Sequence, residues 1–218
     1  MNKFLKLASF SSLIFLFFSC RSTPKAETSV QIQEESKVER KSYFLCTKEG
    51  VSELPSTTPF ELDDFEDGNY WVGVGDSWDQ WGSHNLSLAA GVSQDWASSG
   101  THSLKAIMEP AGPETSKQAT WCCYSLVEND LTGFNWVEVT VCNPQDFDFE
   151  LNIAIQDGVA WQWMQSENLI AKPGITTCLF DISHMPDDFK SNVYCFMIQS
   201  VNENPGGFLY FDNFRLYE

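Results

Sequence analysis

The segment Trp136-Val137-Glu138-Val139-Thr140-Val141-Cys142 and, six residues later, Phe149-Glu150-Leu151-Asn152-Ile153-Ala154-Ile155-Gln156 together decide the fold. In the first, Val137, Val139 and Val141 alternate with Glu138, Thr140 and Cys142. In the second, Leu151, Ile153 and Ile155 alternate with Asn152, Ala154 and Gln156. A period of two is what a strand with one face on a core requires, because successive side chains leave opposite sides of the backbone. Asn143-Pro144 ends the first segment and Asp157-Gly158 after the second suits a hairpin. Working outward, the same reading predicts strands over 60–65, 102–108, 120–126, 161–165, 176–182, 193–200 and 207–216, the last opened by Pro205-Gly206-Gly207. Turn signals recur at short intervals and no convincing amphipathic helix interrupts them. The expected class is all-β, a β-sandwich of two antiparallel sheets. Residues 67–99, rich in Gly, Ser, Trp and Asp, read as long loops with short strands.

The N-terminus has a different character. Lys3 and Lys6 precede an apolar run over residues 7–18 that is too short to span a hydrocarbon core of roughly 30 Å. Positive charge followed by a short apolar stretch is the pattern of a secretory signal. It ends in Phe17-Phe18-Ser19-Cys20, which resembles a bacterial lipobox with Phe where Leu and Ala or Ser are commoner; a plain signal peptide with an incidental cysteine is the alternative. The expectation is a signal peptide over 1–19, cleaved before Cys20, which carries the acyl chains, palmitate among them, that hold the protein on a membrane. Residues 21–42, polar and nearly free of large apolar side chains, cannot offset the entropy of ordering and read as a solvated tether. Residues 20–58 are taken as the lipid-anchored linker and 59–218 as the folded domain. An anchor of this kind places the protein in the cell envelope, and Arg21 after Cys20 favours the outer membrane or cell surface over the inner membrane.

Charge is divided unevenly. Residues 59–218 hold 24 Asp and Glu against 5 Lys and Arg, whereas residues 1–58 hold 6 acids and 8 bases. Such an acidic domain repels phosphate backbones, so nucleic acid is not an expected partner. Neutral sugars and divalent cations are compatible with it. All eight tryptophans also lie in the domain. With Cys20 set aside, Cys46, Cys122, Cys123, Cys142, Cys178 and Cys195 remain. In an exported chain six cysteines allow up to three disulfides, and the sequence does not choose among the pairings or against free buried thiols. Adjacent Cys122 and Cys123 should point to opposite faces of a strand.

Several segments, in order, resemble one family. Leu62-Asp63-Asp64-Phe65-Glu66-Asp67-Gly68, Gly100-Thr101-His102-Ser103-Leu104-Lys105, Trp121 to Leu126, Asn143-Pro144 and Phe208-Leu209-Tyr210-Phe211-Asp212-Asn213-Phe214-Arg215-Leu216 are similar to the jelly-roll carbohydrate-binding modules of the galactose-binding-like superfamily, most of all to carbohydrate-binding module family 11. The similarity covers roughly residues 60–218. It implies a structural calcium ion held by Glu66, Gly100, Ser103 and Asp212, a mixture of carboxylate and carbonyl oxygens that suits a hard cation. It also implies that a polysaccharide or other glycan lies across a concave sheet. Aromatic rings there stack on the C–H faces of pyranoses, and amides and carboxylates meet the hydroxyls. The expected ring platform is Trp78, Trp81, Trp121, Tyr124, Trp161 and Trp163, with Asn152, Gln156 and Asp157 as polar partners. Trp161 and Trp163 share parity, so a strand there puts both on one face. Trp71, Trp96 and Trp136 are assigned to structure. The chain departs from the family's tyrosine-based platform, having no Tyr in Met197-Ile198-Gln199.

No catalytic motif accompanies these features. His84, His102 and His184 are scattered singly, and acid pairs such as Asp63/Asp64 and Asp187/Asp188 are unavoidable among so many carboxylates. The expected function is a non-catalytic, membrane-anchored lipoprotein that binds a glycan. The alternatives are a structural or adhesin-like envelope lipoprotein with a protein partner and, less favoured, a glycoside hydrolase.

Overall fold

Val137, Val139 and Val141 do point one way, and the core forms on that side. They belong to β7 (Trp136–Asn143), which pairs with β11 (Gly174–Asp181) on one side and β13 (Pro205–Tyr217) on the other. The computed structural model describes residues 44–68, 70–74, 86–112, 118–201 and 205–218. Among these residues, β7 lies in a seven-stranded sheet ordered β1-β11-β7-β13-β5-β4, with β2 also on β13. The further members are β1 (Phe44–Thr47), β2 (Phe60–Asp63), β4 (Ser87–Ser93) and β5 (Ser103–Pro110). The second sheet has six strands in the order β10-β8-β12-β6-β3, with β9 on β8. They are β3 (Trp71–Gly73), β6 (Ala119–Cys123), β8 (Phe149–Asp157), β9 (Trp163–Gln165), β10 (Leu169–Ala171) and β12 (Val193–Val201). Apart from the parallel pair β1·β11, all ladders are antiparallel. From β5 onward the chain crosses repeatedly between the sheets, which is the winding of a jelly roll. The one helical element described, α1 (Asp187–Lys190), is a single turn.

The two sheets bury their facing sides against each other. Ile153, Ile155, Phe196 and Ile198 of the six-stranded sheet meet Val139, Leu209, Phe211 and Leu216 of the other. Aromatic rings close the centre: Trp71 and Phe214 lie 4.8 Å apart, and Trp121 and Phe211 5.9 Å apart. The turn residues act as the sequence suggests. Asn143 ends β7 by donating from Nδ2 to the carbonyls of Phe147 (2.7 Å) and Ala171 (3.2 Å) and by accepting from the Gln145 amide.

Two findings depart from expectation. The strand Phe44–Thr47 lies within the stretch read as linker, so the folded part begins before residue 59; a polar neighbourhood hid it, and its pairing to β11 is what makes it a strand. The outer side of the six-stranded sheet is also buried at its centre. Val74, Cys122, Ala154, Cys195 and Met197 form a second apolar cluster there, with Trp163 packed against it. Simple in-and-out alternation would have left that side to solvent. Cys122 and Cys123 do part to opposite faces, one in each cluster.

Phe214 contacts Phe65, Trp71, Phe196 and Phe211. Phe214→Ala should therefore lower unfolding free energy by about 3–5 kcal/mol, whereas Val127→Ala at an exposed position should change it by less than about 0.5 kcal/mol. Denaturant titration of both variants checks this, and similar losses would contradict the assigned core.

Candidate functional site

The outer face of the six-stranded sheet carries Asn152 and Gln156, two of the three polar residues expected to meet a ligand. Asn152 on β8, Gln199 on β12 and Thr120 on β6 are neighbours by register and form a cross-strand row. Gln199 donates from Nε2 to Thr120 Oγ1 at 3.1 Å, and Asn152 donates from Nδ2 to Asn168 Oδ1 at 2.9 Å. Asn152 Oδ1 and Gln199 Oε1 accept no hydrogen bond and are buried. Gln156 is half-buried on the same face. The centre of this face is therefore an amide row beside an apolar cluster, and its carbonyl oxygens have spare acceptor capacity.

Exposed rings gather instead at one end of the sheet. Trp161 is 59% exposed, Tyr124 and Tyr194 each 44%. The Tyr194 ring is 4.8 Å from Trp161 and 5.5 Å from Tyr124, inclined by 61° and 60°, so the three make a faceted corner rather than a flat platform. Local chemistry builds it. Asp157 is buried and accepts hydrogen bonds from the amides of Ala160 (3.1 Å) and Gln162 (2.8 Å), which fixes the turn after β8. Within that turn Trp161 adopts φ of +57°. A bulky residue in the left-handed region costs about 1–2 kcal/mol, and burial does not compensate for it here because the side chain is mostly exposed. Tyr194 owes its position to a bulge: Val193 pairs with Asp157 and Cys195 with Gln156, leaving Tyr194 as the extra residue.

The sequence-derived ring platform is accordingly revised. Trp121 lies in the core at 0% exposure, since its odd parity sends it opposite to Tyr124. Trp161 and Trp163 do not share a strand, because β9 begins only at Trp163; Trp163 covers the outer cluster and Trp161 stands in the turn. Asp157 shapes that turn rather than facing a ligand. Trp78 and Trp81 lie outside the described residues. Trp71 is core and donates from Nε1 to Asp63 Oδ2 at 2.8 Å, Trp96 packs on Tyr210, and Trp136 lies under the Lys48 ammonium, all structural as expected. Tyr194 was missed; by simple alternation it shares parity with core residues Phe196 and Ile198, and nothing in the sequence marks the bulge.

Glu66, Gly100, Ser103 and Asp212 do converge, on the loop 96–103. Glu66 Oε1 accepts from the amides of Thr101 and His102, both at 2.7 Å, while Oε2 accepts from Thr101 Oγ1 at 2.9 Å and lies 3.1 Å from His102 Nδ1. Asp212 Oδ2 accepts from Ser98 N (2.7 Å), Ser98 Oγ (2.8 Å) and Ser99 N (3.1 Å), and its Oδ1 from Asn213 N (2.8 Å). Ser103 Oγ donates to the Trp96 carbonyl. Gly100, at φ +61°, leaves open the side on which a Cβ would stand 2.4 Å from Glu66 Oε1. A calcium ion needs oxygens whose lone pairs converge on one point. Here every carboxylate oxygen already accepts at least one N–H or O–H, so the lone pairs that a cation would need are largely taken. As arranged, the set does not fit calcium; it fits a hydrogen-bonded latch joining the segment after β2 to the loop and to β13. The His102 side chain and the two amides hold the Glu66 carboxyl down at about 2. Burial pushes that of Asp212 up, against the donors around it.

A cavity of about 250 Å3 opens beside Asp63, Asp64, Asp67, Tyr70 and Val127. Asp63, half-buried, is committed to structure: it accepts from the Phe65 amide at 2.9 Å as well as from Trp71. Burial raises its carboxyl above the ordinary range.

Because the folded-state carboxyl of Glu66 is depressed, its contribution to stability is present above the ordinary value of 4.5 and is lost as pH falls towards about 2. Melting temperatures of the wild type and Glu66→Gln should differ at pH 5 and above and converge near pH 2. The wild-type value at neutral pH should not move on adding a chelator. A chelator-dependent drop would restore the calcium reading.

Among curated proteins, none matches the chain. Solved structures of similar fold include the family 11 carbohydrate-binding module of a cellulosomal cellulase of Clostridium thermocellum (TM-score 0.53, 12% identity, covering 74% of this chain and 95% of that one). A family 28 module specific for non-crystalline cellulose gives a TM-score of 0.52 at 14% identity, covering 77% and 100%. The Clostridium thermocellum family 11 module in complex with a β-1,3-1,4-mixed-linked tetrasaccharide gives 0.50 at 13% identity, covering 74% and 96%. At such identities the likeness concerns the fold. A family model described as mannanase, galactose-binding domain-like matches residues 65–213, from the core residue Phe65 beside Glu66 to Asn213 within β13. By that match, which spans well over half of the chain, the protein belongs to the mannanase galactose-binding domain-like family.

Proposed function

We propose that this domain is a non-catalytic binder of a neutral, β-linked polysaccharide, and that it holds the glycan at the end of the six-stranded sheet where Trp161, Tyr194 and Tyr124 meet. The observation that carries the reading is the exposed tryptophan held at positive φ by Asp157. Exposing so large an apolar ring and straining its backbone together are unfavourable for folding, and a ligand that stacks on it accounts for both. An indole and two phenols offer ring faces to the C–H groups of a pyranose and hydroxyls to its polar groups, and neighbouring Gln156, half-buried on the same face, supplies an acceptor for a sugar hydroxyl. The family description, which names a mannanase, and the glucan-binding modules of like fold support the ligand class. The excess of acid over base in the domain favours a neutral glycan over an anionic one.

The N-terminal reading completes the proposal. The signal peptide ends before Cys20, whose acyl chains hold the protein on a membrane of the cell envelope, outer membrane or surface, while the polar segment that follows acts as a tether. Stable retention needs more than one acyl chain, which a lipidated N-terminal cysteine provides. A glycan binder fixed in this way keeps polysaccharide near the cell without a fused enzyme.

Two measurements check these statements. In native affinity gels containing mannan, mixed-linked β-glucan or xylan, the protein should be retarded by at least one; Trp161→Ala should weaken retention by roughly two- to tenfold, given about 0.5–1.5 kcal/mol for each aromatic contact. Retardation by none, or equal retardation of the variant, would contradict the assignment. Radiolabelled palmitate should enter the wild type and not Cys20→Ser, which should leave the membrane fraction; labelled, membrane-bound Cys20→Ser would defeat the anchor.

A further inference from the structure

Among the six described cysteines, all free thiols in this structure, one pair stands apart. Cys46 on β1 and Cys178 on β11 are directly opposite each other across a parallel ladder, and both side chains turn towards the core between the sheets. Neighbouring strands are about 4.8 Å apart, inside the Cα separation of roughly 4.4–6.8 Å that a disulfide spans. The register sets the two thiols side by side, close enough for Cys178 to favour the Cys46 thiolate as a hydrogen-bond donor. Their accessibility differs: Cys178 is fully buried, while Cys46, on the outermost strand of the sheet, is only half-buried. No comparable arrangement serves the others. Cys142 faces Ile175 and Tyr210 across its ladders, and Cys123 lies on the opposite face of β6 from Cys122. Cys122 and Cys195 also influence each other across β6 and β12, but they are diagonal in register, Cys122 being opposite Met197, and both are enclosed in the outer cluster, out of reach of an oxidant.

We propose that Cys46 and Cys178 form a disulfide that locks the first strand of the domain to the sheet. The oxidant is a small or protein-borne disulfide. The Cys46 thiolate attacks one of its sulfurs, forming a mixed disulfide and expelling one thiolate. Cys178 gives up its proton and attacks the Cys46 sulfur, forming the Cys46–Cys178 bond and expelling the second thiolate. Two protein thiols are oxidised and one oxidant disulfide is reduced to two thiols. The Cys178 hydrogen bond and the nearby Lys172 ammonium favour the Cys46 thiolate, lowering its pKa to about 6, so the accessible member is also the nucleophile. Its interaction with Cys46, and then burial, raise the Cys178 pKa well above the ordinary value, which suits a resolving thiol that reacts only after docking of the oxidant at Cys46.

The consequence follows from position. β1 has four residues, pairs with a single strand, and is the first element among the described residues. If that segment is anchored as proposed above, any pull on the tether reaches β1 first, and a covalent tie to the middle of β11 prevents it from peeling away. The bond also closes a loop of more than a hundred residues, which restricts the unfolded chain.

The test needs no membrane, so its outcome is independent of the anchoring proposal. The full chain is incubated with glutathione disulfide while folded, remaining thiols are capped with N-ethylmaleimide, and peptides are mapped by mass spectrometry. The expected product links the peptide of Cys46 to that of Cys178, with a melting temperature raised by several degrees and restored by dithiothreitol. Cys178→Ser should stop at a glutathione adduct on Cys46, and Cys142→Ser should still form the link. Recovery of wild-type Cys46 as a stable glutathione adduct, capped by maleimide, or joined to another cysteine would overturn the proposal.

Discussion

A strand can give the core only every second side chain, and in this domain the six-stranded sheet is asked to bury both of its sides at the centre. That demand organises the molecule. Even and odd residues of β8, β12 and β6 are divided between an inter-sheet core of Ile, Phe and Trp and an outer layer of Asn, Gln, Met, Ala and Cys. The inner layer supplies most of the stability, because it is where large apolar rings such as Trp71, Trp121 and Phe214 leave water together. The outer layer retains the polar atoms, including two amide oxygens without partners. Chemistry therefore concentrates on the face that the core does not use.

Exposure at the site arises where the period of two is broken. The bulge at Tyr194 turns a residue of core parity outward, and the turn anchored by Asp157 lifts Trp161 out of the ladder before β9 begins. Each irregularity has a cost in backbone strain or lost pairing, and together they bring three rings to one corner. At the opposite sheet a different irregularity, the register shift after Asp212, accompanies the carboxylate that fastens loop 96–103. Glu66 fastens the same loop from the other end of the chain. Donors that saturate both carboxylates let the latch hold by hydrogen bonds alone.

Much of this is legible in the sequence because strong alternation survives in it. Val137 to Cys142 and Leu151 to Gln156 disclose their strands, their inward faces and, with Asn143-Pro144 and Asp157-Gly158, their ends. β1, β3 and β10 are not legible: three or four residues carry no period, and each is a strand only because a longer neighbour offers it hydrogen bonds. The gathering of Glu66, Gly100, Ser103 and Asp212 was foreseeable by resemblance, but which atoms face one another depends on hydrogens that residue names do not specify. The aromatic site was half legible. Tyr124 and Trp161 stand where rings were expected, Trp121 was lost to parity, and Tyr194 was hidden because a bulge leaves no mark on the alternation it interrupts.

The central claim is that a sugar meets Trp161 at this corner while the core tryptophans remain untouched. It is tested most directly by following indole N–H resonances of the 15N-labelled domain as mannotetraose or a mixed-linked β-glucan tetrasaccharide is added. The account predicts a saturating shift of the Trp161 signal with those of Trp71 and Trp121 unmoved. No shift of Trp161 with either sugar, or a shift confined to other tryptophans, would contradict it.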